Sequence, residues 1–280
     1  MIIYSRPLKT CAQLFHRKKL LKPKPFNLRG AEINVQSQGL LKWLGVALDS
    51  ELHLSQFIKA TCKSTFLTLR NLCGCRESLT QKTMKLLCNS LVLSKIDYCN
   101  SLLVNVPKNE IHRLQKAINF AARLVTRRKR NCNITPILEE LGWYKMEDRI
   151  RYKISCLTFT VLHSGKPDYL NKYLRIYVPT RQLRSGNKNV LVQENAKLKI
   201  GEGSIGFSGP KIWNSLPETV RLSRNYSIFT YNLHKHFHTI SWLLVGVHAC
   251  VWVYMHMCVI AHWYVANTFT TWYLLRIINK

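Results

Sequence analysis

Carboxylates are the first residues to weigh, because phosphoryl and nucleotidyl transfer need them to hold two divalent metals between an attacking hydroxyl and a triphosphate. The chain has four aspartates, Asp49, Asp97, Asp148 and Asp168, and none is adjacent to another. Asp97, in Ile-Asp-Tyr-Cys-Asn, stands alone in a helical pattern. His53, His112 and His163 are isolated, and no Gly-x-Ser-x-Gly elbow occurs. The glycine-rich Gly-Glu-Gly-Ser-Ile-Gly stretch lacks the Gly-Lys-Ser/Thr that a phosphate loop requires. Ten cysteines include no Cys-x-x-Cys pair, and the N-terminus shows no secretory apolar region, so reduced, core-filling thiols are expected. No catalytic residue, metal ligand or cofactor site is therefore assigned.

The residues that remain are cations. With 42 Lys+Arg against 14 Asp+Glu the formal net charge is +28, while 47% hydrophobic residues exclude a wholly disordered chain. Such a balance points to a polyanionic partner, nucleic acid or an anionic membrane surface. The sharpest pattern is a predicted helix over residues 110–130. At 100° per residue Ile111, Leu114, Ile118, Ala121 and Val125 fall on one side. Arg113, Lys116, Arg123, Arg127 and Arg130 fall on the other, and Arg128 and Lys129 extend the charge. An ordinary solvated face mixes signs. Here Glu110 is the only acid between Asp97 and Glu139. These seven cations are the predicted nucleic-acid contacts, to an RNA or DNA duplex or hybrid, without sequence preference.

The elements that must carry them follow from periodicity. Residues 1–30 are basic and punctuated by Lys-Pro-Lys-Pro, which cannot hold a helix. Residues 30–50 read as two short strands, and from Ser50 the apolar period changes to about 3.6. Gly74 is placed to close one helix, Ser78 or Thr80 to cap the next, and Asn109 to cap the basic one. A helix from Pro136 is interrupted at Leu141-Gly142 and closes at Gly165. Residues 180–237, richer in Gly and Asn, read as loop-like, with Trp213 as a packing anchor. The expected fold class is mainly α, in four parts. These are a basic N-terminal linker with short strands (1–50), a helical region (51–180), a loop-rich basic segment (181–237) and an apolar helix or tail (238–280).

Several stretches, in order, resemble a known family: LKWLGVALDSELHL (41–54), LVLSKIDYCNSLL (91–103), the helix around Leu114 to Arg123, ITPILEELGWYKMEDRIRYKI (134–154), PDYL (167–170) and GFSGPKIWNSLPETVR (206–221). Together they are similar to the C-terminal portion of reverse transcriptases of non-LTR retrotransposons, in the jockey and chicken-repeat group of long interspersed elements. The resemblance covers roughly residues 26–237. It implies that residues 30–50 correspond to the last strands of a polymerase palm and 51–180 to the helical thumb beside the template–primer duplex. The parent enzymes use Mg²⁺ on palm carboxylates, including an adjacent Asp-Asp pair, that have no counterpart here. A truncated, non-polymerising fragment is therefore expected. Departures include Asn133 where relatives commonly have His, Gly142 where they have His, and Ile205 where they have Arg.

The charge stops abruptly. Residues 239–275 contain no Lys, Arg, Asp or Glu. About 20 apolar residues suffice to cross a bilayer, so residues 240–266 could insert, making a single-pass membrane protein with a basic cytoplasmic body the alternative reading. The competing explanation lies in the codons. In VHACVWVYMHMCV (247–259) the odd positions, Val, Ala and Met, all fit purine–pyrimidine–purine codons. The even positions His, Cys and Tyr fit the converse pattern, and Trp252 is one base off. A translated GT/CA simple repeat has this appearance, and its hydrophobicity would then be accidental.

Overall fold

The computed structural model describes residues 40–49, 52–178, 189–196 and 198–237, together with four short strands nearer the N-terminus. The chain divides into two compact units, residues 1–60 and 61–280.

In the first unit, β1 (Ala12–Gln13) pairs parallel with β4 (Val35–Gln36), and β2 (Phe26–Leu28) pairs antiparallel with β3 (Ala31–Ile33). The last pair, β5 (Leu41–Trp43) and β6 (Val46–Leu48), is a two-residue hairpin with Leu41 opposite Leu48 and Trp43 opposite Val46. Its turn residues Leu44 and Gly45 both have positive φ, 44° and 83°. That turn type follows the right-handed twist of the strands, and only Gly45 adopts it without a steric cost. Val46 and Leu48 are buried and Ala47 between them is not, the alternation of a half-buried strand. Residues 30–50 thus hold four short strands, β3 to β6, where two were expected, and β1 and β2 lie in the segment read as a linker.

The second unit is helical. Helix α1 (Ser55–Gly74) leads into it from the first. Thr80 caps α2 (Gln81–Cys88), accepting a hydrogen bond from the Thr83 amide at 3.2 Å. The helix then widens through a π turn (Asn89–Leu93) into α3 (Ser94–Asp97). Serine hydroxyls bond back onto the ladder there: Ser90 donates to the Leu86 carbonyl at 3.0 Å and Ser94 to that of Ser90. Cys99, left-handed at φ 52°, breaks the run before a 3₁₀ turn at Asn100–Leu103. Next come α4 (Lys108–Thr126), α5 (Ile134–Leu141) and α6 (Met146–Ser164), with left-handed Gly142 and Gly165 ending the last two. Asn133 caps α5 through the Thr135 amide at 3.1 Å, a role for which asparagine is among the best residues. After α7 (Asp168–Asn171) come α8 (Ile205–Asn214), α9 (Glu218–Arg221) and α10 (Tyr226–Phe237).

The mainly α class expected from the sequence holds. Helix α6 is the hub: α4, the 100–103 turn, α8 and α10 all pack on it. Trp213 is fully buried and donates from Nε1 to the Asn189 carbonyl at 2.7 Å. Phe229 stacks between it and Phe159, with centroids 5.8 and 4.2 Å away. Removing such aromatics from water is a dominant contribution to a core of this size.

Three expectations need correction. The segment 181–237 is not loop-rich where it is described, because residues 205–237 are largely helical. The two glycines of α8, Gly206 and Gly209, admit a neighbouring surface rather than make turns. A Cβ at Gly206 would lie 3.2 Å from Tyr173, and one at Gly209 would lie 3.0 Å from Leu174 and 3.4 Å from Thr158 of α6. Asn109 does not cap α4: Pro107 holds that position, and Asn109 accepts from the Glu110 amide within the first turn. Proline's fixed φ and missing N–H suit a helix start without a side-chain cap. The basic helix also ends earlier than expected, for the reason given below. Residues 238–280, with the possible membrane segment 240–266, lie outside the described residues. Among the described residues no helix is long and apolar enough to cross a membrane.

Asp97 closes α3 and is engaged structurally. Arg149 of α6 donates to its Oδ2 at 2.5 Å and Asn100 to its Oδ1 at 3.1 Å. The Arg149 side chain is only 11% exposed, so losing its partner strands a nearly buried cation. Asp97→Ala is expected to lower unfolding free energy by about 2 kcal/mol, read from the urea midpoint; a loss of under about 0.5 kcal/mol, the size of a surface pair, would contradict this role.

Candidate nucleic-acid interface

Helix α4 is built as its pattern requires. Ile111, Leu114, Ala117, Ile118, Ala121, Ala122 and Val125 are buried against α2, α5 and α6. The opposite face reaches solvent. Arg113 and Lys116 are exposed, and Arg123 is half-buried. Arg113 shares its charge with Glu110 one turn earlier, at 3.3 Å.

The helix stops at Thr126, so Arg127, Arg128, Lys129 and Arg130 are not a fifth turn of it. Their arrangement comes from Arg76, in the loop between α1 and α2. This buried guanidinium donates from Nε to the Leu124 carbonyl at 2.6 Å and from Nη2 to the Val125 carbonyl at 3.0 Å. Those are the two carbonyls that would take the amides of Arg128 and Lys129 if the helix went on. With both occupied, the backbone leaves the helix at Arg127, left-handed at φ 55° and ψ 25°. Arg76 thus also supplies the positive charge that a helix C-terminus favours. A tight turn follows, in which the Cys132 amide donates to the Lys129 carbonyl at 3.2 Å. Arg123 reaches across it, with Nη2 3.5 Å from the Cys132 carbonyl. The seven cations therefore stand not on one helix face but on two supports: a helix face carrying Arg113, Lys116 and Arg123, then an exposed basic turn, Arg127–Arg130. Glu77 lies 3.8 Å from Arg127, on a side chain 87% exposed.

Sequence reasoning missed other residues on this side. Arg76 looks like any loop cation until the fold brings it against carbonyls 48 and 49 residues further along the chain. Phe120 had a readable signal, since it falls between Lys116 and Arg123 and away from the apolar stripe. It is 39% exposed, and its ring meets Phe66 of α1 with centroids 6.3 Å apart.

Burial pushes the Cys88 and Cys156 thiols up to about 11 and raises that of Cys62, so all three stay protonated near neutrality, as core-filling thiols do. Tyr144, Tyr152 and Tyr226 are likewise raised by burial, and Tyr144, just before α6, bonds His234 of α10. Among the described residues no three His, Cys, Asp or Glu side chains cluster as metal ligands. Set against known proteins, the chain matches no family model, no curated protein and no solved structure.

Proposed function

We propose that this chain is a non-catalytic nucleic-acid-binding body derived from the post-catalytic end of a non-LTR retrotransposon reverse transcriptase. It grips the backbone of a duplex or RNA–DNA hybrid without reading its sequence. The observation that carries this reading is the turn Arg127–Arg130, four consecutive exposed cations held at the end of a helix whose outward face is also basic. A turn of this kind meets phosphates as point charges and presents no side chain fixed for base readout. The derivation is supported by the order of elements, a short strand hairpin followed by helices, which is the order the resemblance implies for palm end and thumb. Asp97 has no role in metal binding in this reading, since Arg149 and Asn100 engage both its oxygens.

Two assays test the reading. Anisotropy titrations with labelled duplexes of unrelated sequence are expected to give affinities equal within about threefold, as backbone-only binding requires. A strong preference for one sequence, or no binding, contradicts it. With primed template, deoxynucleotides and Mg²⁺, the chain alone is expected to extend no primer; extension above background would show that the carboxylates were misjudged.

A further inference from the structure

The exposed rings of Phe66 and Phe120 have no place in a backbone-only grip, and their setting points to a second mode of contact. On α4, Phe120 follows Lys116 by one turn and precedes Arg123 by one turn. On α1, Phe66 stands in the same relation to Lys63 and Arg70. Both rings are 39% exposed and touch each other, their planes inclined by 32°. Two helices thus contribute the same triplet, cation, phenyl ring, cation, and the rings meet at the centre. Lys63, Arg70 and Lys116 are exposed.

An apolar patch in solvent normally invites another apolar surface. Three exposed cations one turn from two rings, Lys63, Arg70 and Lys116, instead fit a ligand that is aromatic at its centre and anionic along its edge, namely an unpaired nucleotide whose base covers the rings while its flanking phosphates meet the cations. Duplex bases are stacked on each other and cannot offer that face. We propose that Phe66 and Phe120 form a stacking platform for one or two unpaired bases, so that the protein engages single-stranded nucleic acid, or the single strand beside a duplex end, separately from the Arg127–Arg130 turn. This rests on the reading of the chain as a nucleic-acid binder.

The test uses the full chain, a labelled oligothymidylate and a blunt duplex of the same length. Phe66→Leu with Phe120→Leu keeps apolar volume but removes the aromatic faces, and far-ultraviolet circular dichroism checks that the variant stays folded. It is expected to bind the single strand about 10-fold or more weakly and the duplex unchanged, with the salt dependence of both preserved because no cation is lost. A Phe120→Trp variant keeps an aromatic face, and is expected to retain affinity and to show added tryptophan quenching when the strand binds. Equal single-strand affinity in wild type and the double leucine variant overturns the platform while leaving backbone binding intact. A wild type that binds neither probe overturns both readings. Loss of affinity for the two probes alike assigns the rings to packing or to a protein partner, and also overturns the platform.

Discussion

Changing Arg128, Lys129 and Arg130 together to glutamate is expected to weaken duplex binding by roughly 100-fold or more at low salt. The plot of log affinity against log salt should also flatten by about 3, since each lost phosphate contact removes about 0.9 from the slope. These three side chains are exposed, so the fold has little stake in them beyond their favourable position near a helix C-terminus, worth about 1 kcal/mol at most. The turn is the better target than the helix face. Arg123 is half-buried and reaches the Cys132 carbonyl, so reversing it would confuse binding with stability. Arg127 holds a left-handed backbone position and approaches Glu77. A control with Lys82, Lys172 and Lys211 changed to glutamate makes the same difference in net charge at other exposed positions. If the control weakens binding as much as the turn variant does, net charge alone is responsible and the site assignment fails.

The second large effect concerns Arg76. Arg76→Ala is expected to lower unfolding free energy by about 2–4 kcal/mol, because it removes a buried cation with two short bonds to α4 carbonyls. A third, longer contact runs to the Leu79 carbonyl at 3.4 Å, so the same side chain also holds its own loop. Lysine keeps the charge but cannot reach two successive carbonyls with a rigid fork, so Arg76→Lys should recover only part of the loss. Freed carbonyls at Leu124 and Val125 would accept the amides of Arg128 and Lys129. Hydrogen exchange at those two amides is therefore expected to slow relative to the rest of the destabilised protein. Duplex affinity should fall as well, because the basic turn loses the shape that Arg76 imposes. A variant as stable as wild type would show that another group ends α4.

How far the sequence could reveal this arrangement depends on the range of the interactions involved. Period is local, so the helices between Ser55 and Ser164, the Thr80 cap, the breaks at Gly142 and Gly165 and the apolar stripe of α4 were readable. Helices α8 to α10 instead read as loops, and the α4 cap is misplaced. The end of α4 was not, because the group that ends it lies on another loop, nearly fifty residues away. Local pattern favoured one more helical turn, and a tertiary hydrogen bond overrode it. The glycines of α8 misled for a related reason. In sequence Gly206 and Gly209 look like breakers, and only the nearness of Tyr173, Leu174 and Thr158 shows that they admit a neighbouring surface. Phe120 was legible as an anomaly on the basic face, yet its meaning needs Phe66, which belongs to a different helix.

The central claim is that the body holds a polyanionic backbone through its exposed basic face and turn. It is tested most directly by titrating the full chain against a duplex and an RNA–DNA hybrid over a range of monovalent salt. A linear fall of log affinity with log salt is expected, with a slope of about −4 or steeper, corresponding to at least four or five neutralised phosphates. Undetectable binding at low salt, or an affinity that does not change with salt, would contradict the claim.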